Sequence, residues 1–143
     1  MIIPDANVLI YAHDQTAVAH RSARRWWEAT LSGSEPVGIP WVVALAFVRL
    51  MTHPTLSENP MTIEQARGCV EGWLTQPGCR LLPVGSATLQ LFFELLTCAG
   101  IGGNLCTDAL IAASAKEHGG TIYSTDQDFD RFPEVRWKNP LRG

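Results

Sequence analysis

Hydrophobic residues fall in short runs along the chain, and five of these runs have the composition of β-strands. The predicted strands are residues 1–4, 37–39, 79–82, 121–124 and 135–137. Proline lacks the N–H that a strand donates to its neighbour, so we expect Pro4 to end the first strand. The last run is short, and we expect it to form an edge strand.

Between the strands, apolar positions recur with helical periodicity. The predicted helices are residues 7–12, 18–31, 41–51, 62–74, 86–98 and 107–118. Thr62 and Gln65 have the spacing of a capping box, and Gly100 stands where a helix ends in a left-handed residue. Pro40 suits the first turn of the third helix. That helix is so rich in apolar residues that we expect it to be buried.

Strands that alternate with helices predict an α/β fold with a parallel sheet covered on both faces. No repeat, low-complexity tract or linker divides the 143 residues, so we expect one domain. In such sheets, ligands bind beyond the carboxyl ends of the strands. Candidate functional residues should therefore follow strands directly.

Composition narrows the class of protein. Hydrophobic residues make up 46% and charged residues 17% of the chain, which is typical of a folded globular protein. The net charge of −3 argues against a protein that coats nucleic acid non-specifically, because such binding requires many cationic side chains to neutralise the phosphates. Four irregularly spaced cysteines form no zinc motif and indicate reduced thiols in the cytoplasm. We expect no signal peptide and no membrane span, since Asp5 interrupts the apolar N-terminus.

Three aspartates lie at places where a parallel sheet gathers ligands. Asp5 follows the first strand, Asp126 follows the fourth, and Asp108 lies in the first turn of the last helix. If the first and fourth strands are neighbours, the three carboxylates converge. Carboxylates in such a cluster repel one another unless a proton or a cation lies among them. Oxygen ligands favour Mg²⁺ or Mn²⁺ over Zn²⁺.

Each aspartate also has an ordinary structural interpretation. Asp5 could cap the next helix, as could Asp108 or Thr107. Asp126 and Asp128 could be turn residues. Only the combination of the three acidic positions favours a metal site.

The motifs around these residues resemble the PIN domain, and specifically the VapC-type toxins of bacterial toxin–antitoxin pairs. The resemblance rests on IIPDANVLIYA around Asp5, TDALIAASAKEHGG around Asp108 and TIYSTDQDF around Asp126, and it covers nearly the whole chain. It implies a single PIN domain over residues 1–143, folded as a three-layer α/β/α sandwich with a central, mainly parallel sheet. It also implies a magnesium-dependent endoribonuclease, with Mn²⁺ as a substitute, that acts on structured RNA such as tRNA.

The resemblance assigns roles to individual residues. Asp5 and Asp108 match the principal metal ligands of the family, and Asp126 completes the catalytic acidic site. Asp128 matches a second acid of the same block and is a further metal-ligand candidate. Asn7 and Thr125 match small polar positions that orient the carboxylates.

One position departs from the family pattern. The family usually has a glutamate where this chain has Ala46. The missing carboxylate would leave the site with one tightly held metal ion. It also keeps open an alternative function, a non-catalytic RNA-binding or scaffold module whose acidic site has decayed.

The aromatic residues point to protein partners. Five tryptophans are more than one small core readily buries. The residues on apolar faces are Trp26, Trp27, Trp41, Trp73 and Phe92. We expect some of them to lie at a homodimer contact or beneath a VapB-like antitoxin, whose amphipathic helix would enter an apolar groove.

Overall fold

The computed structural model describes residues 1–142 and contains one parallel sheet of five strands. The strands are β1 (Ile2–Pro4), β2 (Val37–Pro40), β3 (Cys79–Leu82), β4 (Thr121–Tyr123) and β5 (Trp137–Lys138). They are arranged in the order β3-β2-β1-β4-β5, so β1 is central. The fourth strand is thus the direct neighbour of the first, as the convergence of the aspartates requires.

Helices flank the sheet and complete the three-layer α/β/α sandwich. They are α1 (Ala6–His13), α2 (His20–Ser32), α3 (Trp41–Met51), α4 (Ile63–Leu74), α5 (Ser86–Ala99) and α6 (Cys106–His118). Two short 3₁₀ helices, Gly103–Leu105 and Gln127–Arg131, lie beside the start of α6 and after β4. Within residues 1–142, no helix has both the length and the hydropathy needed to cross a membrane.

The pairing of β1 with β4 sets the position of the residues that follow each strand. Ile3 is opposite Ile122, and Pro4 is opposite Tyr123. The N–H of Asp5 then donates to the carbonyl of Tyr123 at 2.9 Å. Both isoleucines are fully buried, and burying such a side chain stabilises the fold by about 1.5–3 kcal/mol. Asp5 and Ser124 therefore leave the sheet side by side.

Two predicted helix ends are confirmed. Thr62 caps α4, with its hydroxyl accepting from the N–H of Gln65 at 3.1 Å and the Gln65 side chain accepting from the N–H of Thr62 at 2.9 Å. Gly100 ends α5 with φ of 71°, in the left-handed region. Such a conformation favours glycine because glycine has no Cβ.

Other predicted boundaries were wrong. Helix α2 begins at His20, and Val18 lies outside it and is fully exposed. The side chain of Asp14 accepts hydrogen bonds from Thr16 and holds a turn ahead of the helix. Pro40 is the last residue of β2 rather than part of the first turn of α3. Strand β5 starts at Trp137, because Val135 is held in a turn by its hydrogen bond to Phe132.

Helix α3 has the predicted bounds but is not buried on all sides. Val43 and Phe47 lie in the core, whereas Trp41 and Leu45 are 58% and 63% exposed. The prediction of a buried helix was therefore right for one face only. The other face is an apolar surface that residues 1–142 leave open to solvent.

Replacing Gly120 with alanine should destabilise the protein by about 1–3 kcal/mol, as overpacking does in tight cores. A Cβ at this position would lie 2.6 Å from Cδ1 of Ile3 and 3.2 Å from the carbonyl of Met1. Gly68→Ala is the matched control, because a Cβ there would meet nothing within 4 Å. In helix α4 that change should be neutral or slightly stabilising. Urea unfolding measures both, and equal stability of the two variants would contradict this packing.

Candidate metal centre

The carboxylate of Asp5 is held rigidly at the end of β1. It is only 7% exposed. Its Oδ1 accepts from the N–H of Ala6 at 2.7 Å, and its Oδ2 accepts from the hydroxyl of Ser124 at 2.6 Å. Asp5 is thus the N-cap of α1, as the structural interpretation proposed. Capping does not remove it from the site, because the same carboxylate also faces the residues that follow β4.

Ser124 connects the two strand ends. Its hydroxyl is fully buried and, besides donating to Asp5, accepts from Asn7 Nδ2 at 3.2 Å and from the N–H of Asp126 at 3.0 Å. Asn7 Nδ2 also lies 3.4 Å from Oδ2 of Asp5. The chain segment that carries Asp126 is therefore tied to the carboxylate of Asp5. Sequence reasoning missed Ser124 and counted it as the end of a strand.

The expected role of Thr125 is corrected in one respect. Its backbone N–H donates to Asn7 Oδ1 at 3.4 Å. The side-chain hydroxyl that orients Asp5 belongs to the preceding residue, Ser124. A small polar residue two positions before Asp126 was the available signal. Asn7 lies where it was expected and contacts both Asp5 and Ser124.

Three further carboxylates meet beside Asp5. Asp108, Asp126 and Asp128 each offer an oxygen, and these oxygens lie within 4.8 Å of one another. We call these three residues the acidic cluster. Asp5 does not belong to that group, but its charge acts on Asp108. The structure thus gathers the expected residues, with Asp128 rather than Asp5 as the third member of the tightest group.

The local structure explains how the cluster forms. The N-cap of α6 is Leu105, without a side-chain cap, so neither Thr107 nor Asp108 has the capping role that was the alternative. Asp108 lies in the first turn of α6. Asp126 precedes the 3₁₀ helix 127–131, and its Oδ1 accepts from the N–H of Asp128 at 2.9 Å. That turn brings the two acidic residues of the TDQD segment to Asp108.

Burial and repulsion between like charges perturb the acidic residues. Burial raises the pKa of Asp5, while its hydrogen bonds with Ser124 and Ala6 oppose that increase. Burial and the negative charges of Asp126, Asp5 and Asp128 raise the pKa of Asp108 to about 7. Asp108 is therefore only partly ionised near neutral pH in the metal-free protein, and a bound cation would favour its ionised form.

The donors of the site fit a hard divalent cation. They are carboxylate oxygens, with neither thiol nor imidazole among the members of the cluster. Oxygen donors of this kind favour Mg²⁺ or Mn²⁺. A bound cation would offset the repulsion from Asp126, Asp5 and Asp128 that, together with burial, raises the pKa of Asp108.

Comparisons with known proteins agree with this description of the fold. A profile of the PIN domain family matches residues 2–135. Ribonuclease VapC37 of Mycobacterium tuberculosis is 43% identical over 140 residues, covering 98% of this chain and 97% of the relative.

Two solved structures have the same fold. VapBC2 from Rickettsia felis, bound to a DNA fragment from its promoter, matches with a TM-score of 0.68 and 23% identity over 97% of this chain and 98% of that one. VapC20 of M. tuberculosis, described as a sarcin–ricin loop cleaving toxin, matches with a TM-score of 0.69 and 19% identity over 95% and 99% of the two chains.

Replacing Asp108 with asparagine should stabilise the metal-free protein at pH 8 and have little effect at pH 4. The pKa of Asp108 is raised from 3.8 to about 7 in the folded state. Between these values the folded state binds more protons than the unfolded chain, so the free energy of unfolding falls as the pH rises through this window. After allowance for solvent screening, we expect the variant to gain about 1–2 kcal/mol at pH 8.

Thermal melts in EDTA at pH 4, 6 and 8 measure this difference. Glu58→Gln, at an exposed loop position, is the control for loss of one negative charge. A gain that does not depend on pH, or one that the control also shows, would contradict the assigned electrostatics of the cluster.

Proposed function

The chain belongs to the PIN-domain family, and from that premise we propose that it is a magnesium-dependent endoribonuclease, the toxin of a VapBC-type toxin–antitoxin pair. The observation that carries the proposal is the acidic cluster beside Asp5, at the edge of the sheet where β1 and β4 end. A relative with 43% identity is named a ribonuclease, which supports the same activity here.

We propose that Asp5, Asp108 and Asp126 are the catalytic residues and that Asp128 is an additional metal ligand. Mg²⁺ would be held by these oxygens, and Mn²⁺ would substitute for it. Bound there, the ion would activate water for attack on an RNA phosphodiester and stabilise the negative charge that develops on the phosphate. No side-chain nucleophile is needed.

The remaining polar residues of the site have positioning roles in this proposal. The hydroxyl of Ser124 and the amide of Asn7 hold Oδ2 of Asp5, and the N–H of Ala6 holds Oδ1. Ligand carboxylates that are fixed by such hydrogen bonds need less reorganisation when an ion binds. Thr125 contributes through its backbone N–H to Asn7.

Ala46 sets the expected number of ions. It offers no carboxylate where the family usually has glutamate, so we expect one tightly held ion rather than two. The alternative function, an RNA-binding or scaffold module with a decayed site, rests on the same position. The convergence of Asp108, Asp126 and Asp128 beside Asp5 favours the catalytic proposal, since four aspartates that repel one another are costly without a ligand to hold.

The proposed substrate is a structured RNA with an accessible loop. VapC20, which shares the fold, is described as cleaving the sarcin–ricin loop. Loop bases can leave the stack and enter a site, whereas bases of a duplex cannot. A tRNA presents loops of this kind. The products would carry a 5′-phosphate and a 3′-hydroxyl. We propose that the protein acts in the cytoplasm.

The proposed protein partners are a VapB-like antitoxin and a second copy of the chain. The exposed face of α3 forms an apolar groove of about 830 Å³ with α4. Trp41, Leu45 and Ile63 line it and are 58%, 63% and 72% exposed. We propose that an amphipathic segment of the antitoxin occupies this groove.

Asp5→Asn should lower magnesium-dependent RNA cleavage by at least about a hundredfold, since it removes a charge that acts in the transition state. Asp14→Asn, at the other end of α1, is the matched control and should cleave like the parent protein. Sequencing of new 5′ ends after incubation with total RNA measures both. Cleavage by Asp5→Asn at the parent rate would refute the proposed site, and a parent that binds RNA without cleaving it would support the scaffold alternative.

Leu45→Glu should abolish binding of the antitoxin while leaving RNA cleavage intact, because a charge cannot be buried in the groove without a large penalty. Val18→Glu, at a fully exposed position outside the groove, is the control and should bind normally. Co-purification with the antitoxin, followed by light scattering, measures complex formation. If Leu45→Glu no longer forms a homodimer but still binds the antitoxin, the groove is instead the contact surface for a second copy of the chain.

A further inference from the structure

A second cavity adjoins the acidic cluster. It lies between the glycine-rich segment 101–105 on one side and Asp128 and Arg131 on the other, and its volume is about 520 Å³. We call it the loop cavity. Its size is within the range of sites that take small organic ligands. Its position directly before α6 and beside the helix 127–131 places it at the same edge of the sheet as Asp108.

Asp128 belongs to both features. One of its oxygens is within 4.8 Å of oxygens of Asp108 and Asp126, and the same residue forms part of the wall of the loop cavity. A phosphodiester bound at the acidic cluster would therefore have a neighbouring nucleotide at the mouth of this cavity. The carboxylate of Asp128 would repel the phosphate of that nucleotide, so a positive charge is needed nearby.

Arg131 supplies that charge. Its Nε is 3.9 Å from Oδ1 of Asp128, and its side chain is 55% exposed. At that distance the two groups attract each other without a hydrogen bond, so the guanidinium keeps N–H donors for a ligand. Guanidinium groups bind phosphate through two parallel hydrogen bonds, which fixes the orientation of the phosphate as well as its position.

The opposite wall suits a nucleobase. Ile101 is 51% exposed and Leu105 is buried, so the wall has an apolar component against which the face of a base can pack. Asn104 is exposed and carries an amide that both donates and accepts, as the edge of a base requires. Gly103 has φ of 60°, and a Cβ there would meet nothing within 4 Å, so its backbone is open to the cavity.

We infer that the loop cavity binds the RNA nucleotide next to the scissile phosphate, with Arg131 holding its phosphate and Asn104 contacting the edge of its base. The inference rests on the proposed function and names the part of the site that selects the sequence at the cut. Arg131 and Asn104 are binding residues here, so they should affect KM and base preference more than kcat.

A binding assay that does not depend on RNA cleavage tests this inference. The probe is a 5′-fluorescein-labelled RNA of twelve random nucleotides, titrated by fluorescence anisotropy with Ca²⁺ in place of Mg²⁺, and a gel checks that the RNA stays intact. Arg131→Gln should weaken binding about tenfold, the effect of losing one charge-assisted contact. Arg80→Gln, on the exposed surface of β3 at the other side of the sheet, should bind within about twofold of the parent.

Titration with four homopolymeric RNA probes, one for each base, tests the contact between Asn104 and the base. The parent should prefer one base by about five- to tenfold, the discrimination expected of one specific polar contact, and Asn104→Ala should abolish that preference. Asn59→Ala, an exposed amide in a different cavity, should keep it.

The outcomes separate the inference from the proposed function. Equal affinities of Arg131→Gln and Arg80→Gln, a parent without base preference, or a parent that binds no RNA would overturn the inference. If binding depends on Arg131 and Asn104 but the parent cleaves no RNA in Mg²⁺, the loop cavity stands and the nuclease proposal fails. With cleavage present, a tenfold higher KM and a nearly unchanged kcat for Arg131→Gln would support both.

Discussion

The parallel pairing of β1 with β4 is the interaction on which the site depends. It places Asp5 opposite Ser124, and the hydrogen bond between them joins parts of the chain that are 119 positions apart. The N–H of Asp126 binds the same serine hydroxyl, so the acidic turn after β4 is fixed to the end of β1. Asp108 then enters from α6 and completes a cluster whose members repel one another.

Much of this arrangement could be predicted from the sequence because it follows from local patterns. The alternation of strands and helices indicates a parallel sheet, and such sheets collect ligands beyond their carboxyl ends. Asp5 directly follows an apolar strand and Asp126 comes a few residues after another, so their place at that edge could be foreseen. Helix α4 begins after the capping box at Thr62 and α5 ends at the left-handed Gly100, both as predicted, since both signals depend only on neighbouring residues.

The remaining features depend on contacts that a sequence does not display. Ser124 has the composition of a strand end, and its function is visible only once β1 lies beside β4. The exposed face of α3 escaped prediction because an apolar helix can be buried on one side and open on the other. The same limit applies to Asp128, which appeared secondary until the turn at residues 126–128 brought it to Asp108. In each case the local pattern was compatible with two environments.

The central claim is that separate aspartates form one binding site for a divalent ion. A crystal structure of the protein grown with Mn²⁺, with anomalous scattering recorded at the manganese edge, tests it most directly. We expect a single strong peak among the carboxylate oxygens of Asp108, Asp126 and Asp128, beside Asp5. An anomalous map without a peak there, or with manganese bound only at other surface carboxylates, would contradict it.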